Sequence, residues 1–186
     1  MQSLNVNLLR FLFLFLTAGA LLWTGCEKDD DEGPDNEEEL ITTVRLTFTD
    51  GAGNSSVFNF SDTDGIGGNP PVAEDITLAP NTAYVLSMEF LDESNPNDVA
   101  DITEEIKAEA TEHLVCFDFA PPISAITRID QDGDGKPLGL ESDCTTGDAG
   151  SGALTVSLKH QPDKANANPC STGETDVEAT FEVIVQ

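Results

Sequence analysis

The stretch from Asp130 to Glu141 has the residue types and the spacing of a metal-binding loop. It reads Asp-Gln-Asp-Gly-Asp-Gly-Lys-Pro-Leu-Gly-Leu-Glu and matches the calcium-loop pattern D-x-D-x-D-G-x5-E at every specified position. In such a loop, early carboxylates converge on one hard cation, the glycine permits a sharp turn, and the final glutamate closes the site with both oxygens. The sequence therefore predicts a structural calcium ion with these ligand residues: Asp130, Asp132, Asp134, Lys136 through its carbonyl oxygen, and Glu141.

The surroundings of this loop differ from those of a helix-flanked calcium site. The preceding residues 123–129 have a strand pattern, and Pro137 stands where such loops commonly carry a β-branched residue that pairs with a second loop. We therefore expect a lone loop on a β scaffold, with an affinity of roughly 10⁻⁴ to 10⁻³ M, the range of extracellular calcium modules. The alternative is an acidic hairpin loop without an ion, because Asp-Gly pairs are also good turn formers.

The two histidines, His113 and His160, are the next candidates for chemistry. Each histidine falls on the same face of its predicted strand as the apolar residues, and each stands at a strand end. This position is typical of a hydrogen-bonded histidine at the rim of a core. His113 and Cys116 do not form a local zinc pair, because residues three apart on a strand face opposite sides. A metal site that combines both histidines with a carboxylate from another strand is the minor alternative, since no ligand spacing supports it.

The elements that must hold these residues are β-strands. From Leu40 onward, apolar and polar residues alternate with a period of two, and Gly- and Asp-rich turns separate the runs. Residues 101–111 instead have apolar residues at helical spacing, with Asp101 and Glu104 in capping-box positions. The sequence predicts an all-β domain over residues 40–186, an Ig-like antiparallel β-sandwich of about seven strands with one short helical crossover. The predicted strands lie at 40–48, 57–60, 84–90, 115–119, 123–129, 154–158 and 177–185.

Charge and motif content narrow the functional classes. The 186 residues include 8 Lys and Arg against 35 Asp and Glu, for a net charge of −27. Nucleic acid is a poor partner for such a chain, because phosphate binding needs clustered cations. Unaided electrostatic docking on an anionic membrane is excluded for the same reason. The chain also has no Gly-x-Ser-x-Gly elbow, no His-Glu-x-x-His pair and no phosphate-binding Gly/Lys loop, so we predict a non-enzymatic protein.

The N-terminal residues predict export and a lipid anchor. Residues 8–22 are almost uninterrupted Leu, Phe and Ala, and Gly25 precedes Cys26. This ending resembles the bacterial lipobox, which implies a signal peptide over 1–25 and a lipidated Cys26; the alternative is an ordinary signal peptide with an accidental cysteine. The acidic run of residues 26–39 is expected to be a disordered tether. Its start, Cys-Glu-Lys-Asp-Asp, is similar to the surface-export signal of Bacteroidetes lipoproteins. The alternative is that the acidic run is only a solvated spacer that holds the domain off the inner leaflet, in the periplasm.

The cysteines other than Cys26 predict one disulfide. Three cysteines in an exported domain leave one pair and one remainder. Cys144 and Cys170 both stand in Gly-, Thr-, Asn- and Pro-rich stretches that flank one predicted strand, so we expect them to be bonded to each other. Cys116 lies in the middle of a predicted strand, where a small buried thiol is the ordinary state.

Three segments extend the resemblance into the domain. Residues 134–140, 158–164 and 173–181 are similar to stretches of small flavobacterial lipoproteins, which are poorly characterised and occur beside TonB-dependent outer-membrane receptors. The resemblance implies an outer-membrane lipoprotein on the cell surface that serves as an accessory module, binding a ligand or docking on the receptor. The alternative is a structural or adhesive surface module without a small-molecule ligand.

Overall fold

The alternating pattern folds into strands in the computed structural model of the chain, which describes residues 40–64 and 68–186. The predicted signal peptide (1–25), the lipidated Cys26 and the acidic tether (26–39) lie outside the described residues. Within the described ranges the chain forms eleven strands, one α-helix, α1 (Ile102–Ala108), and one 3₁₀ turn (Pro169–Ser171). The strands are β1 (Thr43–Asp50), β2 (Ser55–Ser61), β3 (Val72–Ala73), β4 (Ile76–Leu78), β5 (Ala83–Asp92), β6 (Ala100–Asp101), β7 (His113–Phe119), β8 (Ile123–Arg128), β9 (Glu141–Thr146), β10 (Gly150–His160) and β11 (Glu174–Val185).

These strands form two sheets that enclose one core. The first sheet has the order β3-β2-β1-β5-β9-β8, with β6 attached to β5, and the second has the order β4-β11-β10-β7. Alternate residues from both sheets are fully buried, such as Leu46 of β1 and Leu158 of β10. The ring of Phe60 in β2 lies 6.3 Å from that of Phe181 in β11, so the inner faces of the two sheets are in direct contact.

The strand order confirms the expected Ig-like sandwich. The order β1-β5-β9-β8 corresponds to strands A-B-E-D of an immunoglobulin constant-type domain, and the neighbours β7, β10 and β11 correspond to C-F-G. The short β4 pairs in parallel with β11 at the edge of the second sheet. The hairpin partner β2 and the two-residue β3 widen the first sheet beyond the Ig pattern.

The structure differs from the sequence prediction in one long strand. Residues 141–146 form β9, whereas the pattern had placed Cys144 in a loop. Ser142, Cys144 and Thr146 do alternate with exposed residues, but they are small or polar and give little hydrophobic signal. The remaining unpredicted strands, β3, β4 and β6, contain only two or three residues each.

The helix α1 has the predicted start but ends earlier than expected. Its N-cap Asp101 accepts a hydrogen bond from the backbone N–H of Thr103 at 3.1 Å, as a capping carboxylate does. Glu104 pairs with Lys107 at 2.8 Å instead of completing the capping box. Ile106 is fully buried, so the helix covers one end of the core.

The loops gather at two ends of the sandwich, which we call the entry end and the far end. Thr43 pairs with Leu91 and Asp50 pairs with Tyr84, so the two ends are separated by roughly 24 Å along β5. The entry end contains Leu40 and the segments 93–112, 129–140 and 161–173. The far end contains the loops 79–82, 120–122 and 147–149, joined by hydrogen bonds from Asn81 N to Gly147 O and from Gly147 N to Pro122 O.

Candidate functional site

The predicted calcium loop lies at the entry end and is organised around Asp132. One carboxylate oxygen of Asp132 accepts hydrogen bonds from the backbone N–H groups of Asp134 and Lys136, both at 2.9 Å. The other oxygen lies 2.9 Å from the Nζ of Lys164, and the side chains of Asp132 and Lys164 are only 1% and 8% exposed. Lys164 also donates to the carbonyl oxygen of Ala110 at 2.6 Å. A single ammonium group therefore ties together the segments 93–112, 129–140 and 161–173.

The other predicted ligands do not converge with Asp132. Asp130 accepts a hydrogen bond from the backbone N–H of Gly139 at 2.6 Å, and Asp134 is exposed. Glu141 begins β9 and lines a hollow of about 300 Å³ beside α1. Among the described residues, the one group of three or more side chains close enough to share a metal contains none from this loop. Gly135 does make the expected sharp turn, with a φ of 73°, and calcium binding by the loop stays a prediction.

The surroundings of Asp132 keep it ionised. Burial of this carboxyl group acts to raise its pKa, but the hydrogen bonds from the Lys164 ammonium and from the backbone of Lys136 and Asp134 outweigh burial, and the pKa is lowered. The carboxylate is thus already supplied with a cation and with donors by the protein itself.

The disulfide prediction was wrong about the pairing. Cys170 is bonded to Cys116, with 5.8 Å between their Cα atoms, and Cys144 is a free, buried thiol. The reason is the unpredicted strand β9, which directs Cys144 into the core with 1% exposure. Cys116 pairs with Ser157 on the outer face of the second sheet, where the segment carrying Cys170 covers it. The bond therefore fastens the 161–173 segment to β7.

Arg128 bridges the gap between the edge strands β8 and β7 beside this disulfide. Its Nε donates to the carbonyl oxygen of Val115 at 2.6 Å, and a terminal nitrogen lies 3.4 Å from the Sγ of Cys170. The guanidinium also stands 5.4 Å from the ring centre of Phe117. Because Arg128 is on β8 and Val115 is on β7, this side chain connects the edge strands of the two sheets.

A second cluster at the entry end brings both histidines together with Asp176. His113 and His160 are direct neighbours in the register of β7 and β10, and their rings stack with centroids 4.9 Å apart and an angle of 21° between planes. The Nδ1 of His160 lies 3.8 Å from a carboxylate oxygen of Asp176. One potential ligand atom from each of the three residues lies within 4.8 Å of the other two. The sequence spacing gave no sign of this cluster, because its members come from three strands.

A β-bulge turns Asp176 toward the histidines. Leu158 pairs with Val177, but His160 pairs with Glu174, so β11 contains one residue more than β10 in this interval. The extra residue breaks the in-and-out alternation, and the Asp176 side chain is only 3% exposed. Bulges of this kind redirect a side chain and are frequent next to functional sites.

The far end contains an open cleft of about 780 Å³. Its apolar lining includes Phe119, Pro122 and Ile123, and its polar lining includes Asn81 and Asp148. The loops 79–82, 120–122 and 147–149 all contribute to the lining. The cleft thus combines apolar rings with a few hydrogen-bonding groups, as ligand sites commonly do.

Comparisons with known proteins do not assign a family to this chain. No family model, no curated protein and no solved structure matches it. None of the helical residues that the structure describes belongs to a segment with the length and hydrophobicity needed to cross a membrane. The resemblance to flavobacterial lipoproteins stays a prediction.

Proposed function

We propose that this chain is a non-enzymatic, lipid-anchored envelope protein whose Ig-like domain binds its partner through the cleft at the far end. The observation that carries the proposal is the position of the cleft relative to Leu40. Leu40 lies at the entry end, where the predicted tether of residues 26–39 joins the domain, and the cleft lies at the opposite end. The cleft is therefore at the end of the domain opposite the point where a chain anchored through Cys26 would enter it.

The lining of the cleft favours a ligand with an apolar face and hydrogen-bonding groups. Phe119 and Pro121 offer apolar area, while Asn81 and Asp148 offer polar atoms. A short extended polypeptide, such as a loop of a receptor, has both features. The net charge of −27 disfavours an anionic ligand.

The proposed location is the cell-surface face of the outer membrane, and the proposed partner is a TonB-dependent receptor. The Cys-Glu-Lys-Asp-Asp sequence at residues 26–30 supports the surface, and the Cys116–Cys170 bond fits an oxidising compartment. The resemblance of residues 134–140, 158–164 and 173–181 to lipoproteins that accompany such receptors supports the partner.

Location and partner are tested on the full-length protein in its native membrane. Protease treatment of intact cells should degrade a surface protein and spare a periplasmic one. Extraction in mild detergent should co-purify a β-barrel receptor. Repeated absence of such a receptor would overturn the accessory role and favour a structural or adhesive module.

The cleft is tested with two charge-matched variants. Asp148→Lys places a cation in the cleft, whereas Asp163→Lys makes the same change in an exposed loop of the entry end. We expect Asp148→Lys to reduce recovery of the receptor at least tenfold, and Asp163→Lys to leave it unchanged. Equal recovery with both variants would place the binding surface elsewhere.

A further inference from the structure

We propose that His113, His160 and Asp176 form a binding site for one divalent transition-metal ion of the zinc type. The three residues stand on β7, β10 and β11, and a ligand atom of each lies within 4.8 Å of the others. Two imidazoles and a carboxylate are a donor set that zinc uses in proteins. None of these three residues belongs to the acidic loop. Two of the three ligand atoms are nitrogen atoms, which suit zinc, whereas calcium takes oxygen ligands.

The separations in the cluster are within reach of a zinc site with three protein ligands and a fourth position for water. Zinc binds nitrogen and oxygen ligands at about 2.0–2.2 Å in tetrahedral geometry, which places ligand atoms about 3.4 Å from one another. The atoms of the three residues lie at most 4.8 Å apart. Closing the site requires the ligand atoms to move closer together, and both histidines stand at strand ends, His113 at the start of β7 and His160 at the end of β10.

The backbone around the cluster is arranged for all three side chains to point inward. The register of β7 and β10 places His113 directly opposite His160 on the core-facing side of the sheet. The extra residue in β11 turns Asp176 to the same side, although the alternation of the strand would otherwise point it outward. Gly173 has a φ of 73° and lies against the end of β10, where a Cβ would meet the carbonyl oxygen of His160. A glycine at this position therefore lets the start of β11 pass close to His160.

The ring of His113 has a backbone hydrogen bond of the kind that holds a histidine ligand in place. Its Nδ1 lies 3.2 Å from the carbonyl oxygen of Glu109, just after α1. A carbonyl only accepts, so Nδ1 donates and Nε2 has the lone pair of the neutral ring. A histidine ligand commonly has this kind of second hydrogen bond to a backbone carbonyl.

The three side chains of the cluster are buried. The distance from His160 Nδ1 to Asp176 is 3.8 Å, which is longer than a hydrogen bond. The stacked rings of His113 and His160 have their centroids 4.9 Å apart. With exposures of 0% for His113 and 9% and 3% for the other two side chains, the ion would be shielded from solvent. Its role would therefore be to fix β7, β10 and β11 at the entry end.

The first test uses the wild-type full-length chain in detergent, stripped of metal and then titrated with zinc or cobalt. We expect one equivalent of zinc per chain by elemental analysis, visible d–d absorption with cobalt, and shifts of both histidine ring resonances by NMR. The thermal midpoint should rise by about 5–10 °C at a zinc concentration 100-fold above the dissociation constant. Ring resonances that do not move with equimolar zinc would overturn the proposal without any variant.

The second test compares matched variants. His160→Gln and Asp176→Asn should each weaken zinc binding at least tenfold. Glu178→Gln changes an exposed residue of the same strand and should bind zinc as the wild type does. Asp134→Asn in the acidic loop should also leave the stoichiometry unchanged. Wild-type affinity in both His160→Gln and Asp176→Asn, or loss of binding in Asp134→Asn, would contradict the assignment.

Discussion

The Nζ of Lys164 lies 2.9 Å from the Oδ2 of Asp132, and both side chains are almost completely shielded from water. The pair joins two segments that are distant in sequence, and the additional bond from Lys164 to the Ala110 carbonyl joins a third. A fixed cation of the protein thus occupies the neighbourhood in which the acidic loop was expected to hold calcium.

Removing one member of this pair is expected to destabilise the fold. Asp132→Asn leaves the Lys164 ammonium buried without its counter-charge, and the free energy of unfolding should fall by about 3–5 kcal/mol. Urea denaturation measures this loss. The matched control is Glu104→Gln, which breaks an exposed pair with Lys107 and should cost about 0.5 kcal/mol or less. Equal losses for the two variants would show that the buried pair contributes nothing beyond a surface pair.

The contribution of Asp132 should depend on pH with a defined sign. Its pKa in the fold is lowered from the ordinary value of 3.8, so the stabilisation is present above pH 3.8 and is lost as the pH falls through the lower folded value. The difference in unfolding free energy between wild type and Asp132→Asn should be constant from pH 7 to pH 5 and shrink below about pH 4. A difference that grows on acidification would contradict the lowered pKa.

Calcium is expected to compete with Lys164 for Asp132. The sequence pattern predicts that millimolar calcium raises the thermal midpoint of the wild-type chain. Lys164→Met removes the internal cation, so this variant should be less stable without calcium and should show a larger calcium-dependent rise. If calcium leaves the midpoints of both proteins unchanged, the loop is the acidic hairpin that was the alternative.

The Cys116–Cys170 bond is expected to contribute substantially to stability. It closes a loop of 54 residues, which corresponds to about 4 kcal/mol in the chain-entropy description. Cys116→Ala combined with Cys170→Ala should lower the unfolding free energy by this amount. Mass spectrometry of unreduced proteolytic fragments should link Cys116 to Cys170, and a fragment linking Cys144 to Cys170 would overturn the observed pairing.

The Cys144 thiol is expected to be unreactive in the folded protein. Burial raises its pKa from 9.0 to about 12, so the thiol is neutral at pH 8.5 and shielded from reagents. Alkylation located by peptide mass spectrometry should be absent in the native protein and complete in denaturant. Since the unfolded thiol ionises above pH 9 and the folded one does not, the stabilisation from the neutral thiol should be lost as the pH rises from 9 toward 12. Rapid native alkylation of Cys144 at pH 8.5 would contradict its buried position.

Much of the fold could be predicted from the sequence, because alternation is a local signal. The runs around Leu46, Leu86 and Val183 each bury one face, and a period of two suffices to recognise such strands. The strand β9 was not predicted, because its buried residues include Ser142 and Thr146, whose side chains give little hydrophobic contrast with their exposed neighbours.

The candidate sites also differ in how much of each could be predicted from the sequence. The residues of the acidic loop are adjacent in sequence, so the sequence determined that they form a turn around Gly135. The exported, acidic and β-rich character of the chain is likewise a prediction of composition and local pattern. Only the tertiary structure decided that Cys170 bonds Cys116, that Lys164 reaches Asp132, and that Asp176 meets the two histidines. These contacts depend on sheet register, on one β-bulge and on the arrangement of loops at the entry end, which arise from long-range packing and leave no periodic trace in the sequence.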